Sequence, residues 1–202
     1  RWVIYFRDWP EERARQYWPA FRRLEELVKP YRDSLTGQIH QNCFWKFWDL
    51  RPALMREVAI HKTLLASAIV TKYVTFRRVP TSNIYNTKTK LYFLHHWFEF
   101  AAMQSSLHQE WAFWNCGTLG ASTLNYSTSF ALETWPMPSA DCTTDIDKLG
   151  EHYHVLREGI VTNEWIGLTQ LYNRFHNSND RDSQIDDLRR LHREIDLAMQ
   201  SP

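Results

Sequence analysis

Between Glu57 and Glu99 the chain has no acidic residue: 41 consecutive positions without Asp or Glu. A nuclease built on clustered carboxylates is excluded from that stretch, and a polyanion is admitted to it. Cysteine is scarce. Cys43, Cys116 and Cys142 form no close pair, which excludes a disulfide framework and fits a reduced, cytosolic setting. No apolar run approaches the roughly 18 residues of a membrane span, and the start has no signal-peptide pattern. The chain begins at Arg1, so a piece of a longer protein is expected. A phosphate-cradling glycine loop, a dinucleotide fingerprint and a Gly-x-Ser-x-Gly elbow are all missing.

What is there is unevenly charged. The net charge of +1 hides +2 over residues 1–35, +5 over 36–130 and −6 over 131–202. The acid-free stretch holds Lys62, Lys72, Arg77, Arg78, Lys88 and Lys90 among Thr, Ser, Asn and Tyr. Cations mixed with short hydrogen-bonding side chains suit a phosphate backbone. Residues 111–132 carry no charge. Ten tryptophans are expected to pack in a core or fill a seam with a neighbour.

Periodicity predicts an α+β fold: a small mixed or antiparallel sheet with packed helices, then a helical C-terminal tail. A helix is expected over 9–30, opened by Pro10 and two acids and stopped by Pro30. Residues 44–50 are dense in aromatics (Phe44, Trp45, Phe47, Trp48), and Arg51-Pro52 opens a short helix. Two strands are read over 62–79 and a third from Thr89 to Leu94. Trp97, Phe100, Met103, Leu107, Trp111 and Trp114 mark one helical face. Three stripes follow: Ile146 to Leu156, Trp165 to Phe175, and Ile185 to Ala198. Thr162 or Asn163 is read as cap of the second and Ser183 of the third. The expected divisions are 1–35, a helical linker; 36–138, the part with the basic sheet; and 139–202, a helical subdomain.

Catalytic chemistry finds little support. His95-His96, His152-x-His154 and His40-x-x-Cys43 do not combine at zinc-binding spacing, so no metal is expected. Asp180-x-Asp182-x-Gln184-x-Asp186 imitates a calcium loop. Ile185 stands where glycine is needed and Leu191 where the bidentate Glu belongs, so it reads as a polar helix start. Ser105-Ser106 with His108 lacks a third partner.

Several segments, in order, resemble the C-terminal region of large adenine-specific DNA methyltransferases of the type IIL-like restriction–modification enzymes and of the DISARM phage-defence system. They are Trp2 to Phe6 with Asp8-Trp9-Pro10, Arg51-Pro52, Thr71-Lys72 and Val79-Pro80-Thr81. Then come Gln104-Ser105-Ser106 with His108 and Trp111, Ser122-Thr123-Leu124-x-Tyr126 and Glu133 to Pro138. Gly167-Leu168-Thr169, Tyr172 to His176 and Leu188-Arg189-x-Leu191-His192 complete the set. The chain departs from that pattern at Trp135 and Met137, where the family commonly has Phe, and after His176, where Asp-Pro is usual. The family's tail also runs on past Pro202.

The resemblance implies a target recognition domain, with no catalytic residues of its own. The catalytic domain, with its Asn-Pro-Pro-aromatic motif and S-adenosylmethionine, would lie elsewhere in the parent in cis, in a prokaryotic cytoplasm. The expected partner is double-stranded DNA, from which that domain flips an adenine; defence-complex subunits are further candidates. The DNA-binding candidates are Lys72, Arg77, Arg78, Ser82, Asn83, Asn86, Lys88, Lys90, Asn125 and Ser127, with Ser122 beside them. Arginine forks onto guanine and Asn onto adenine, while the lysines suit phosphates. Arg77 and Arg78 face opposite ways on a strand, so at most one reaches a base. Gln104, His108 and Trp111 read as structural. The competing reading is a protein-docking module built on the Phe44–Trp48 cluster and the amphipathic tail.

Overall fold

A computed structural model of the chain describes residues 2–37, 42–47, 49–120, 122–138 and 144–200. His40, Trp48 and Cys142, each part of an expectation above, lie outside the described residues. The chain divides into two compact units, residues 1–61 and 62–202.

In the first unit the expected single helix is three: α1 (Glu11–Arg15), α2 (Trp18–Leu27) and α3 (Lys29–Asp33). Proline is the reason. Pro19 and Pro30 have no N–H to give to the preceding turn, and each sits in the first turn of a new helix, where none is needed. Pro30 thus restarts the helix it was expected to stop. Phe6, Ala14, Phe21, Phe44 and Trp45 form this unit's core. Phe21 meets Phe44 edge-on at 5.4 Å, and the Trp45 indole donates to the Trp9 carbonyl at 3.0 Å. Helix α4 (Pro52–Ile60) follows Arg51, whose backbone is left-handed (φ 43°) and whose amide and Nε both donate to Asp49.

The second unit holds two antiparallel sheets. One has the order β3-β1-β4, with β1 (Thr63–Ala68) central between β3 (Arg77–Pro80) and β4 (Thr89–Tyr92). The other has the order β2-β6-β5: β2 (Val70–Thr71), β6 (Thr123–Asn125) and β5 (Thr118–Leu119). The first expected strand, Thr63 to Thr71, therefore splits, its last residues leaving for the other sheet, and the second, expected from Tyr73, begins only at Arg77. Leu65 lies opposite Arg78 and Tyr92, and Ala66 opposite Arg77 and Leu91. Leu64, Leu65, Ala66 and Ser67 are all buried, so β1 is covered on both faces.

Helices α5 (Trp97–Gln104) and α6 (Ser106–Asn115) replace the single helix expected over 97–114. Ser105 breaks it. Its backbone is extended, and its hydroxyl accepts from the His108 amide at 3.2 Å as the cap of α6. A π-helical turn spans Thr128–Leu132. The tail is α7 (Thr144–Asn163), α8 (Leu168–Phe175) and α9 (Ser183–Ala198). The caps differ from expectation: Gly167 precedes α8, and Asp182 caps α9 by accepting from the Gln184 and Ile185 amides. Asp182 belongs to the calcium-like run, which is indeed a helix start.

The core of this unit runs from Leu65, Phe76 and Phe100 through Met103, Leu124 and Tyr153 to Leu171, Ile185 and Ile195. A polar chain threads it. Arg157, fully buried on α7, donates to the Phe76 carbonyl at 2.6 Å and to Gln104 Oε1 at 3.0 Å. Gln104 Oε1 also accepts from the Phe76 amide. Tyr153 and Tyr172 share a hydrogen bond at 2.8 Å, His192 Nδ1 lies 3.3 Å from Tyr153, and His192 Nε2 lies 3.0 Å from Ser106 Oγ.

Helices α5 and α7 approach closely at Gly150. A methyl group there would collide with the Trp97 carbonyl oxygen and come within 3.2 Å of Ala101 Cβ. Gly150→Ala is expected to lower stability by about 1–3 kcal/mol despite alanine's better helix propensity; urea unfolding measures it.

His108 is buried against Phe76 and Tyr126, and burial lowers its pKa from 6.5 to about 4. The folded state keeps this imidazole neutral, while in the unfolded chain it takes a proton near its ordinary value. The contribution is complete above pH 6.5 and is lost as pH falls toward 4. By pH 4.5 the loss amounts to about 2–3 kcal/mol. His108→Gln is expected to reduce the pH dependence of the unfolding free energy, measured by urea titration, by that amount.

Candidate nucleic-acid interface

Ile69 joins the two sheets. Its amide donates to the Lys88 carbonyl at 2.9 Å, and its carbonyl accepts from the Tyr126 amide at 2.7 Å. This one residue brings together the start of β4, with Lys88 and Lys90, and the end of β6, with Asn125 and Ser127. Lys72 lies three positions further on. The lysines differ in freedom. Lys90 Nζ donates to Thr128 Oγ1 at 2.8 Å, and Lys72 Nζ to Asn173 Oδ1 at 3.1 Å beside the Tyr73 ring. The exposed Lys88 side chain has no ion pair among the described residues. Asn86 is occupied locally: its Oδ1 accepts from the Lys88 amide and the Thr89 hydroxyl, which shapes the turn into β4.

Ser82 and Asn83 belong elsewhere. They follow β3 in the turn anchored by Thr81 N to Lys62 O, at the Thr63 end of β1. Lys88 stands at the Ala68 end. The six residues of β1 separate these ends by about 17 Å. The ten candidates thus form no single cluster. Lys72, Lys88, Lys90, Asn125 and Ser127 gather round Ile69; Ser82 and Asn83 mark the other end with Lys62.

Register puts Arg77 and Arg78 on opposite faces of the sheet, as strand alternation requires. Arg77 is ion-paired with Glu158 of α7. Arg78 lies over the Trp97 ring at 4.2 Å and donates to the His95 and His96 carbonyls at 2.6 and 2.9 Å. Burial lowers its pKa, and the nearby carboxylates of Glu99 and Asp147 partly oppose that effect. Both guanidinium groups are engaged by the protein itself.

Beside the lysines projects the β5–β6 hairpin. Gly120 turns it with φ +70°, a left-handed conformation natural to glycine. Thr118, Leu119, Ser122 and Asn125 are exposed along it. Cys116 and Ser127 pin its base, the Ser127 amide donating to Cys116 Sγ at 3.3 Å. Thr118 and Leu119 were not among the sequence candidates; the uncharged run 111–132 with its two glycines was the available signal. The arrangement is an uncharged ribbon with hydroxyl and amide groups, flanked by lysines. A two-stranded ribbon fits the major groove of B-DNA, and lysines beside it reach phosphates.

In the aromatic run 44–48, Phe44 and Trp45 are interior, and Phe47 stacks on Tyr5 at 5.2 Å. Among the described residues no group of three His, Cys, Asp or Glu side chains is placed to hold a metal, and no helix is long and apolar enough to cross a membrane.

No protein-family model matches the chain, and no curated protein matches it. Among solved structures it resembles the type IIL restriction–modification enzyme MmeI, determined in complex with DNA. The similarity covers 98% of this chain and 25% of that one, with a TM-score of 0.73 and 17% sequence identity. The chain therefore has the fold of part of that enzyme and spans about a quarter of its length.

Because Arg78 is held by an aromatic ring and two carbonyls, Arg78→Ala is expected to cost about 1–2 kcal/mol of stability in urea unfolding. Lys88→Ala should leave stability within about 0.5 kcal/mol of the unmodified chain.

Proposed function

We propose that this chain is the target-recognition part of an adenine-specific, S-adenosylmethionine-dependent DNA methyltransferase, of the restriction–modification or DISARM type. It binds double-stranded DNA and reads a short sequence, while a catalytic domain in cis binds the cofactor and methylates the adenine. The observation that carries this reading is the fold, shared over nearly the whole chain with a restriction–modification enzyme determined on DNA. Lys72, Lys88 and Lys90, near the base of an uncharged hairpin, support it physically. Phosphate contacts set register and orientation, and the hairpin's Asn125, Ser122 and Thr118 supply donors and acceptors for base edges. Arg77 and Arg78 are given a supporting role, because their guanidinium groups already have partners.

Fluorescence anisotropy of the chain on duplex DNA at several salt concentrations tests the reading. Three lysines on three phosphates give a log–log salt slope of about −3. Lys88→Ala is expected to weaken binding on all sequences alike and to reduce the slope by about 1, whereas Asn125→Ala should lower sequence preference and leave the slope unchanged. Absence of binding at low salt, or binding indifferent to both salt and Lys88, would refute DNA recognition by this chain and favour docking to protein.

A further inference from the structure

Away from the lysines, the outer face of α6 opens onto a groove of about 570 Å³ whose lining includes Leu107, Glu110, Trp111, Trp114, Trp135 and Met199. Two features set it apart from an ordinary apolar surface. Its rings are oriented: Trp111 and Trp135 stand 5.9 Å apart at 65°, and the Trp111 indole donates to Thr134 Oγ1 at 3.2 Å. Trp114, one turn beyond Trp111, is 86% exposed. Glu110 is the one charged residue of the lining, and it has no ion pair among the described residues. Three indoles with electron-rich faces and one unpaired carboxylate favour a cation over an anion. A guanidinium suits them best: it is planar, weakly hydrated, stacks on indole and forks onto a carboxylate.

We propose that this groove is a docking site for an arginine side chain presented by a protein partner. The chemistry separates it from the DNA face. A phosphate brought to the groove would meet Glu110, whereas an arginine there stacks on Trp114 and pairs with Glu110. The proposal is independent of the DNA reading, because its residues are all outside the hairpin and its lysines.

The test is a titration of the ¹⁵N-labelled chain with the blocked tripeptide acetyl-Gly-Arg-Gly-amide, following the indole N–H resonances of Trp111 and Trp114. The citrulline tripeptide, equal in shape and uncharged, is the control. The arginine peptide is expected to shift both resonances, with the citrulline peptide about fivefold weaker. Glu110→Gln should weaken the arginine peptide about threefold and Trp114→Ala about fivefold. Both side chains are exposed, and thermal unfolding checks that each variant remains folded. No shift with the arginine peptide, equal binding of the two peptides, or indifference to both substitutions would overturn the proposal. So would a mononucleotide that shifts these resonances while the arginine peptide does not, which would make the groove a platform for stacking bases.

Discussion

A charge buried in the centre of the second unit governs its geometry. Arg157 has no exposed surface, and an unpaired buried guanidinium would cost several kcal/mol, a large part of the roughly 5–15 kcal/mol by which domains are stable. Its partners must therefore stay in place. They are the Phe76 carbonyl just before β3, Gln104 at the end of α5, and Tyr172 on α8, with the Glu158 carboxylate 3.6 Å away on α7 itself. Three elements far apart in sequence are fixed to α7 by one side chain. Gln104 strengthens the tie: its oxygen accepts from both Arg157 and the Phe76 amide, and its nitrogen donates toward the Val74 carbonyl. The link between β2 and β3 makes no ladder of its own, and these bonds hold it.

From Tyr172 the polar chain continues through Tyr153 and His192 to Ser106, whose amide donates to Asp196. The segments that carry the family resemblance thus have much of their distinctiveness inside the protein. Gln104, Ser106 and His108 from one, Tyr172 from another and His192 from a third all lie on or beside this chain. Interior polar networks tolerate little change, since each lost partner leaves another buried group unsatisfied. The exposed hairpin and lysines are under no such constraint. A scaffold of this kind can present different surface residues without disturbing the geometry that aims them.

That contrast also explains what could be read from the sequence. The tail helices and the strand at Thr89 were legible, because apolar spacing and β-branched runs report local structure directly. Arg157 was not, although it continues the stripe Leu149, Tyr153, Ile160 on α7; a charged residue in a helical stripe is easily taken for the solvent face. Trp165 was misplaced in the opposite sense. Counted into the α8 stripe, it instead follows α7 in a left-handed conformation (φ 54°) and is almost fully exposed. A helix ending usually gives that position to glycine. Arg174 stands in the last turn of α8, where a cation suits the helix end, yet Arg189 of α9 takes the carbonyls of Arg174, Phe175 and Asn177. Arg174 pairs with Glu164, Asp180 and Asp182. Both choices involve an arginine at a helix end, and only tertiary packing decides between them.

The same logic bears on the candidate interface. An acid-free stretch suggests a field that six cations share, but folding brings the acidic tail to the basic sheet. Glu158 meets Arg77 there, and Arg78 turns inward over Trp97 beside Glu99 and Asp147. The positive charge available to a phosphate is therefore set by the lysines, whose flexible stems keep their ammonium groups at the surface. Arginine, planar and weakly hydrated, is the cation a folding protein can most readily use in its interior. Here it serves as a buried brace at Arg157 and a half-buried one at Arg78, while Lys88 remains outside. A cation count along the sequence cannot separate these uses; the identity of each cation, and the acids that folding carries to it, can.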